Sequence, residues 1–535
     1  MRDIYSKASN TIAFLGIGWN GSDLAMAKFN TIGKFLCDNG ITELISSYIG
    51  MKSGNSQFEA LKEDLYQRLD VQFAEALQDL EGTLNFMYSM QELLSRSYWE
   101  RIWIRQEFVI SPNLTIKAGK GTVTVDRFRA TFLYMLVLKK LLMELSMGVL
   151  EDAKQKKEPD PEADSFFLRT CKVLEDVSLV STMLGRRRQI HDPEDNSSAI
   201  GLRLMNLLAD LAIGPQTKAS DDKDRIYALL GMANDGKLLE IDPDYKESTS
   251  CEWVYTAAAR AMLFAGQIDI LSLSQNRDKT CGLPSWVPDW RDKIIRPSGQ
   301  LSKDTFFAAS GPQLSTSKYK IVGSNLDGIT LKGYHVDIIE ELIPGRTTRD
   351  QYMKEDLPQL GKYLESIRSL CDKSNAKAWV NFFEIYTKAS DRADAHIRIP
   401  IADQEMNHNQ FGVGGLQSTT ALSQRAYTSL LEHIDGKLDT PSHAAALRDV
   451  ACYNLCMKDQ LFRRPFLAKK GYVGLVPDHA KVGDVLAIFL CGKFPYVVRG
   501  DGDGTYKFIG DAYVHGIMYG EFTENGPRIE EFILR

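Results

Sequence analysis

Cysteine and histidine are scarce in this chain and scattered where they occur. The eight cysteines stand at 37, 171, 251, 281, 371, 452, 456 and 491, and none forms a C-x-x-C pair. A chain of 535 residues does not need disulfide staples, so reduced thiols are expected. Cys452 and Cys456 are one helical turn apart without a second ligand pair nearby, and no metal site is assigned. Long apolar runs are missing too. The most membrane-like stretch, 131–138, is stopped by Lys139, Lys140 and Glu144, well short of the roughly 20 residues a span requires, and reads as a buried helix. Positive charge is not in excess: 64 Lys and Arg against 70 Asp and Glu leave a net −6, which gives no support to a nucleic-acid or anionic-membrane surface. G-x-S-x-G elbows, H-E-x-x-H helices and Walker loops are absent, and residues 1–7 lack the apolar core of a secretory signal. A cytoplasmic protein without a membrane span is expected.

What is present, 44% hydrophobic and 25% charged residues, is the composition of a globular protein, and the length predicts two or three domains. Ile4, Tyr5 and Ala8 look like the end of an amphipathic helix whose beginning is absent. A buried strand over 11–15, a helix from Ser22 to about Cys37, and helical stretches near 57–80 and 83–94 follow. A hairpin then turns at Gly119-Lys120-Gly121. This order predicts an α/β unit over 1–125. Residues 126–300 read as mainly helical, with exposed connectors at 151–164 and 214–222. Residues 301–535 read as β-rich, with a helical insertion at about 350–460. Ile329 to Val336 alternates at strand period, and the last 70 residues hold further strands, two of them joined by Asp501-Gly502-Asp503-Gly504. The two β regions are expected to pair as one antiparallel barrel or sandwich. The fold class expected is therefore α+β, multidomain.

The stretch Ser97 to Phe108 reads as one helix, with Trp99, Trp103 and Glu107 four residues apart and so on one face. Two indoles in line with a carboxylate would suit a binding stripe, or a core with an acid at its rim. Gly16-Ile17-Gly18-Trp19-Asn20-Gly21 satisfies G-x-G-x-x-G between a strand and a helix. It lacks a second strand ending in an acid, and Trp19 crowds the turn, so a plain strand-to-helix loop is the preferred reading. Asp501 to Gly504 lacks the remaining ligands of a calcium loop and reads as a turn. The charge run of Arg186-Arg187-Arg188 followed by Asp192, Glu194 and Asp195 reads as a solvated loop, and His515 as a satisfied barrel residue.

Several of these segments together resemble the fungal heterokaryon-incompatibility (HET) domain proteins. They include Met1-Arg2-Asp3-Ile4-Tyr5-Ser6-Lys7-Ala8-Ser9 and Ile12-Ala13-Phe14-Leu15-Gly16, then Trp99 to Glu107, which is similar to an Arg-x-Trp-x-x-Gln-Glu domain end. Downstream come Asp224-Arg225-Ile226-Tyr227-Ala228-Leu229-Leu230-Gly231, Leu283-Pro284-Ser285-Trp286-Val287-Pro288-Asp289-Trp290 and the tail from Gly483 through Tyr513 to Glu521. The family's opening strands, with their Trp-Ile-Asp and Cys-Ile-Asn-Gln motifs, and a Glu-Arg helix would lie before Met1. The resemblance thus implies an N-terminally truncated HET unit with uncovered apolar faces and edges. It also implies regulated cell death when genetically different hyphae fuse. HET domains are remotely similar to TIR domains, some of which cleave NAD with a Trp and a Glu four residues later. By that likeness Glu107 is the candidate catalytic carboxylate, and Trp103, Trp99 and Arg101 are candidate substrate contacts. NAD would be a substrate rather than a cofactor, and its cleavage would be impaired by the missing strands. Partners implied are other incompatibility or NLR-like proteins, or further copies of the chain. The competing expectation is a non-enzymatic, degenerate HET-like interaction or scaffold protein.

Overall fold

The computed structural model describes residues 1–19, 21–51, 56–155, 169–170, 178–192, 202–213, 217–275, 282–295, 297, 307–311, 328–346, 357–381, 389–406, 416–437 and 444–535. The N-terminal part runs α1 (Arg2–Lys7), β1 (Thr11–Phe14), α2 (Ser22–Asp38), α3 (Ile41–Gly50), α4 (Ser56–Arg68), α5 (Asp70–Gln78), α6 (Leu80–Leu94), α7 (Ile104–Ile110), β2 (Leu114–Ala118), β3 (Gly121–Thr124) and α8 (Val125–Gln155). Its sheet has the order β1-β2-β3, with β1 parallel to β2 and β2 antiparallel to β3. Strand alternation decides the faces. Ala13, Ile116 and Val123 are buried beneath the helices, whereas Ile12 and Phe14 on the edge strand are 57% and 51% exposed. The stretch 131–138 is buried within α8, as expected. α8 packs on α2, and Phe128 meets both Phe29 and Trp99, so the packing of this unit continues past residue 125. Gly33 permits the close crossing, since a Cβ there would run into the carbonyl of Arg127.

One helix expected from the sequence is only half formed. Residues 97–103 are turns, and α7 begins at Ile104. Backbone bonds to another segment pull this stretch out of helical geometry: Ile102 N–H donates to the Lys218 carbonyl at 3.0 Å, and Lys218 N–H donates to that of Glu100 at 2.5 Å. Residues 217–222 are correspondingly no exposed connector, because Thr217 is buried and Lys218 carries this bridge. The stretch at 151–164 begins as the end of α8, and from 156 to 164 lies outside the described residues.

The middle of the chain supplies α9 (Ser178–His191), α10 (Leu204–Ile213), α11 (Asp224–Leu230), the short α12 (Gly236–Leu239) and α13 (Cys251–Phe264). The Ser250 hydroxyl caps α13 by accepting from Trp253 N–H at 3.1 Å. After it, β4 (Ile329–Leu342) opens the C-terminal sheet. The insertion follows, with α14 (Leu357–Asn381), α15 (Ala389–Arg398), the hairpin β5 (Gln404–Met406) and β6 (Leu416–Ser418), α16 (Ala421–Ile434) and α17 (Ala444–Lys458). The sheet resumes with β7 (Arg463–Ala468), β8 (Val473–Pro477), β9 (Val485–Phe489), β10 (Tyr496–Gly500), β11 (Thr505–Asp511), β12 (Tyr513–Val514) and β13 (Glu530–Leu534).

The two β regions do join, as expected. Their strand order is β12-β8-β7-β4-β13-β11-β10-β9, and β4 also pairs with β9. That second pairing closes a ring, β4-β13-β11-β10-β9, whose pairs are antiparallel except for β11 with β13. The far end of β4 pairs instead with β7, so one 14-residue strand serves both the ring and its extension. The Asp501 to Gly504 segment is the turn between β10 and β11, with Asp503 accepting from the backbone and hydroxyl of Thr505. Among the described cysteines, Cys37, Cys251 and Cys371 are free thiols; Cys171 and Cys281 lie outside the described residues.

Candidate functional site

The four residues singled out by sequence meet different fates. Trp99 is 2% exposed, donates its indole N–H to the Leu93 carbonyl at 2.8 Å, and is enclosed by Tyr98, Phe108 and Phe128. It is core. Arg101 is exposed and its backbone forms the bridge to Lys218. Trp103 is half-buried at the start of α7, and its indole N–H donates to Asp224 Oδ2 at 2.9 Å. Glu107 lies within α7, half-buried. The continuous three-residue stripe is therefore broken between Trp99 and Trp103, because only the latter pair shares one helical turn.

Around Glu107 the polar neighbours are phenols. The Tyr5 hydroxyl, brought over by α1, donates to Glu107 Oε2 at 3.1 Å. Burial first, and then the Glu107 carboxylate, push the Tyr5 pKa up. Tyr98 feels the same two influences in the same order, and its hydroxyl is buried. Among the described residues no lysine or arginine forms an ion pair with Glu107. A half-buried carboxylate with one neutral donor keeps a field for an incoming positive charge, although the Arg101 guanidinium acts on the same phenols.

The neighbours of Glu107 in the motif face the other way. Arg105 is fully buried and donates to the Thr217 hydroxyl at 3.1 Å, and desolvation lowers its pKa to about 10. Gln106 donates to the Ala228 carbonyl at 2.8 Å. A Cβ on Gly231 would stand 2.6 Å from Gln106 Nε2, so glycine is what lets the two segments close up. Arg105 and Gln106 thus bind the middle region, while Glu107 alone points toward α1. The alternating burial Arg105, Gln106 in, Glu107 half-out was present in the sequence only as three polar residues in a row.

Sequence reasoning missed Arg187. Read as part of a solvated charge run, it sits on α9 and donates to the carbonyls of Phe108 (2.8 Å), Ser111 (2.6 Å) and Pro112 (2.8 Å), closing the C-terminal end of α7. Burial lowers its pKa to about 10. Arg186, its neighbour on α9, pairs with Asp210 of α10. Two of the three arginines thus serve the interior; Glu194 and Asp195 lie outside the described residues.

The G-x-G-x-x-G segment is a strand-to-helix loop, as preferred. Gly18 and Gly119 press their backbones together, a Cβ on Gly119 falling 2.7 Å from the Gly18 Cα. Arg96 fills the remaining space, donating to the carbonyls of Leu15 and Ile17 and lying 5.5 Å from the Trp19 ring. His515 is buried between the Tyr513 hydroxyl and the Asp391 carbonyl. Among the described residues no group of His, Cys, Asp and Glu could hold a metal, and no helix is long and apolar enough to cross a membrane.

Two comparisons with known proteins bear on this arrangement. A family model described as the Het-6 beta-barrel domain matches residues 432–534, the stretch carrying β7 to β13. Heterokaryon incompatibility protein 6, OR allele, of Neurospora crassa is 26% identical over 588 aligned residues, covering 100% of this chain and 79% of that protein. The chain is thus similar to a heterokaryon incompatibility protein along its whole length, and its C-terminal stretch matches the Het-6 barrel. Its barrel, however, is completed by a strand outside the matched stretch, since β4 supplies two of the five pairings in the ring. No solved structure matches the chain.

Proposed function

We propose that this protein acts in fungal non-self recognition, and that its N-terminal unit triggers cell death by cleaving NAD with Glu107. The likeness to the Neurospora incompatibility protein supports the first part. The single observation supporting the second is the state of Glu107: half-buried, unpaired with any cation among the described residues, and hydrogen-bonded to a neutral phenol. In the proposed reaction the bond from the ribose anomeric carbon to the nicotinamide nitrogen breaks, and its electron pair leaves with nicotinamide. Positive charge develops on the sugar, where the carboxylate lies, before water adds to that carbon and releases a proton. Trp103, one turn before Glu107, would pack beside the ring.

The test is NAD consumption by the full chain. Glu107→Gln is expected to lower the rate by about 100-fold or more, the usual scale for removing one transition-state charge stabiliser. Equal rates would end the catalytic assignment. A specific observation favours the second reading, a non-enzymatic interaction protein: Trp99 is wholly core and the Trp103 indole nitrogen is already committed to Asp224. That reading predicts growth arrest on expression without any Glu107 dependence.

A further inference from the structure

The carboxylate that holds Trp103 comes from a segment more than a hundred residues away. Asp224 opens α11, is 8% exposed, and divides its two oxygens between neutral donors. Oδ2 accepts from the Trp103 indole at 2.9 Å, and Oδ1 accepts from the Tyr245 hydroxyl at 2.7 Å. The adjacent cations are turned elsewhere. Lys223 Nζ lies 5.6 Å from the Tyr245 ring and pairs with Asp221, while Arg225 binds Asp222 and the Thr217 carbonyl. Among the described residues no cation pairs with Asp224.

A buried carboxylate without a counter-ion is costly unless each oxygen is well used. Here the indole and the phenol supply that use, so the position of the indole is fixed by where Asp224 stands. α11 is in turn fixed to α7 by Gln106 on Ala228, and through Thr217, whose hydroxyl accepts from Arg105 and whose carbonyl accepts from Arg225. Trp103 and Glu107 are one turn apart on α7. Positions four apart share a helical face, so the orientation of the Trp103 ring bears on the face that carries Glu107.

We infer that Asp224 is a positioning residue for the Glu107 site, holding the Trp103 ring in the orientation that receives the nicotinamide end of a dinucleotide. This rests on the NAD reading above. It adds that the middle region sets the geometry of the N-terminal unit through one side chain. Asparagine preserves the arrangement, because its amide oxygen accepts from the indole while its NH2 donates to the Tyr245 oxygen, which can accept as well as donate. Alanine leaves the indole N–H and the phenol without their acceptor.

The experiment combines nitrogen-15 labelling of the seven tryptophan indoles in the full chain with NAD turnover. The Trp103 indole N–H, assigned through Trp103→Phe, is expected to exchange with solvent at least tenfold faster in Asp224→Ala and at the native rate in Asp224→Asn. KM for NAD is expected to rise about tenfold in Asp224→Ala with kcat within threefold, and to be native in Asp224→Asn. Gly33→Ala, at the crossing of α2 and α8, serves as a control that costs stability without moving KM or the indole. Unchanged indole exchange in Asp224→Ala overturns the inference, and so does a KM that rises equally in Gly33→Ala. If wild type consumes no NAD, the functional reading falls and this role falls with it, while fast exchange in Asp224→Ala alone still identifies Asp224 as the anchor of Trp103.

Discussion

His515 shows how a single side chain couples the tail to the insertion. Its ring bridges the Tyr513 hydroxyl on β12 and the Asp391 carbonyl on α15, and burial lowers its pKa. Arg398 acts in the same direction, while Asp403 and Asp391 oppose it. A histidine whose folded pKa lies below the unfolded value near 6.5 leaves the folded state binding fewer protons. Its stabilising effect is complete above pH 6.5 and is lost as pH falls through the folded value. Urea unfolding at pH 7.5 and 5.5 should therefore show wild type losing more stability than His515→Gln across that interval. An identical loss in both would exclude the role. The sequence suggested a satisfied barrel residue, and that reading was available because a histidine between apolar strand residues has few alternatives. Tyr5 was not legible in the same way. Its partner Glu107 lies 102 positions along the chain, and no local spacing encodes a contact of that range.

At the scale of elements, α7 depends on its surroundings. A helix of seven residues cannot sustain itself in water. Its start is held by the Lys218 bridge and its end by Arg187, with His191 adding a contact to the Val109 carbonyl at 3.0 Å. Replacing Arg187 by Met keeps much of the side-chain volume but strips three carbonyls of their donor. The expected cost is about 3 kcal/mol in chemical denaturation. A loss below about 0.5 kcal/mol would mean that water takes over all three bonds. The i, i+4 pattern correctly marked Trp103 and Glu107 as neighbours, yet it extended the helix too far toward Trp99. Turns and helices share that pattern over a single step, and the bridge from Lys218 decided between them. Strand alternation served better: β4 and β9 to β11 were all visible. Glu530 to Leu534 was not, because a short terminal strand with two leading glutamates has no clear period.

On the scale of the whole molecule, one apolar cluster among the described residues runs from Ala13 to Leu534 and links the stretches distinguished by sequence, while the C-terminal sheet and the insertion each hold a further cluster of their own. Ser285 ties the middle to the barrel by accepting from Phe508 N–H at 2.9 Å and donating to the Arg535 carbonyl. Asp269 does the same by accepting from Lys493 N–H and the Tyr496 hydroxyl. A fragment ending at residue 125 would lose Phe128 from beside Trp99 and Arg187 from the end of α7. It is expected to be cut by trypsin within minutes under conditions that leave the full chain intact; a resistant core would show that the first unit folds alone. Division into α/β, helical and barrel stretches was legible because each has its own period, but the packing across them is made by residues such as Phe128 and Ser285 that no period distinguishes. β4 carries one last implication. The chain leaves the sheet beyond Leu342 and comes back so near its exit that Phe462 N–H donates to the Arg346 carbonyl at 2.8 Å. Strands β4 and β7 are thus partners of one hairpin whose loop has grown into α14 to α17. Evolution can lengthen, shorten or swap such an outgrowth while the ring stays closed, so lineages sharing this scaffold are free to diverge most in the lobe rooted between those two strands.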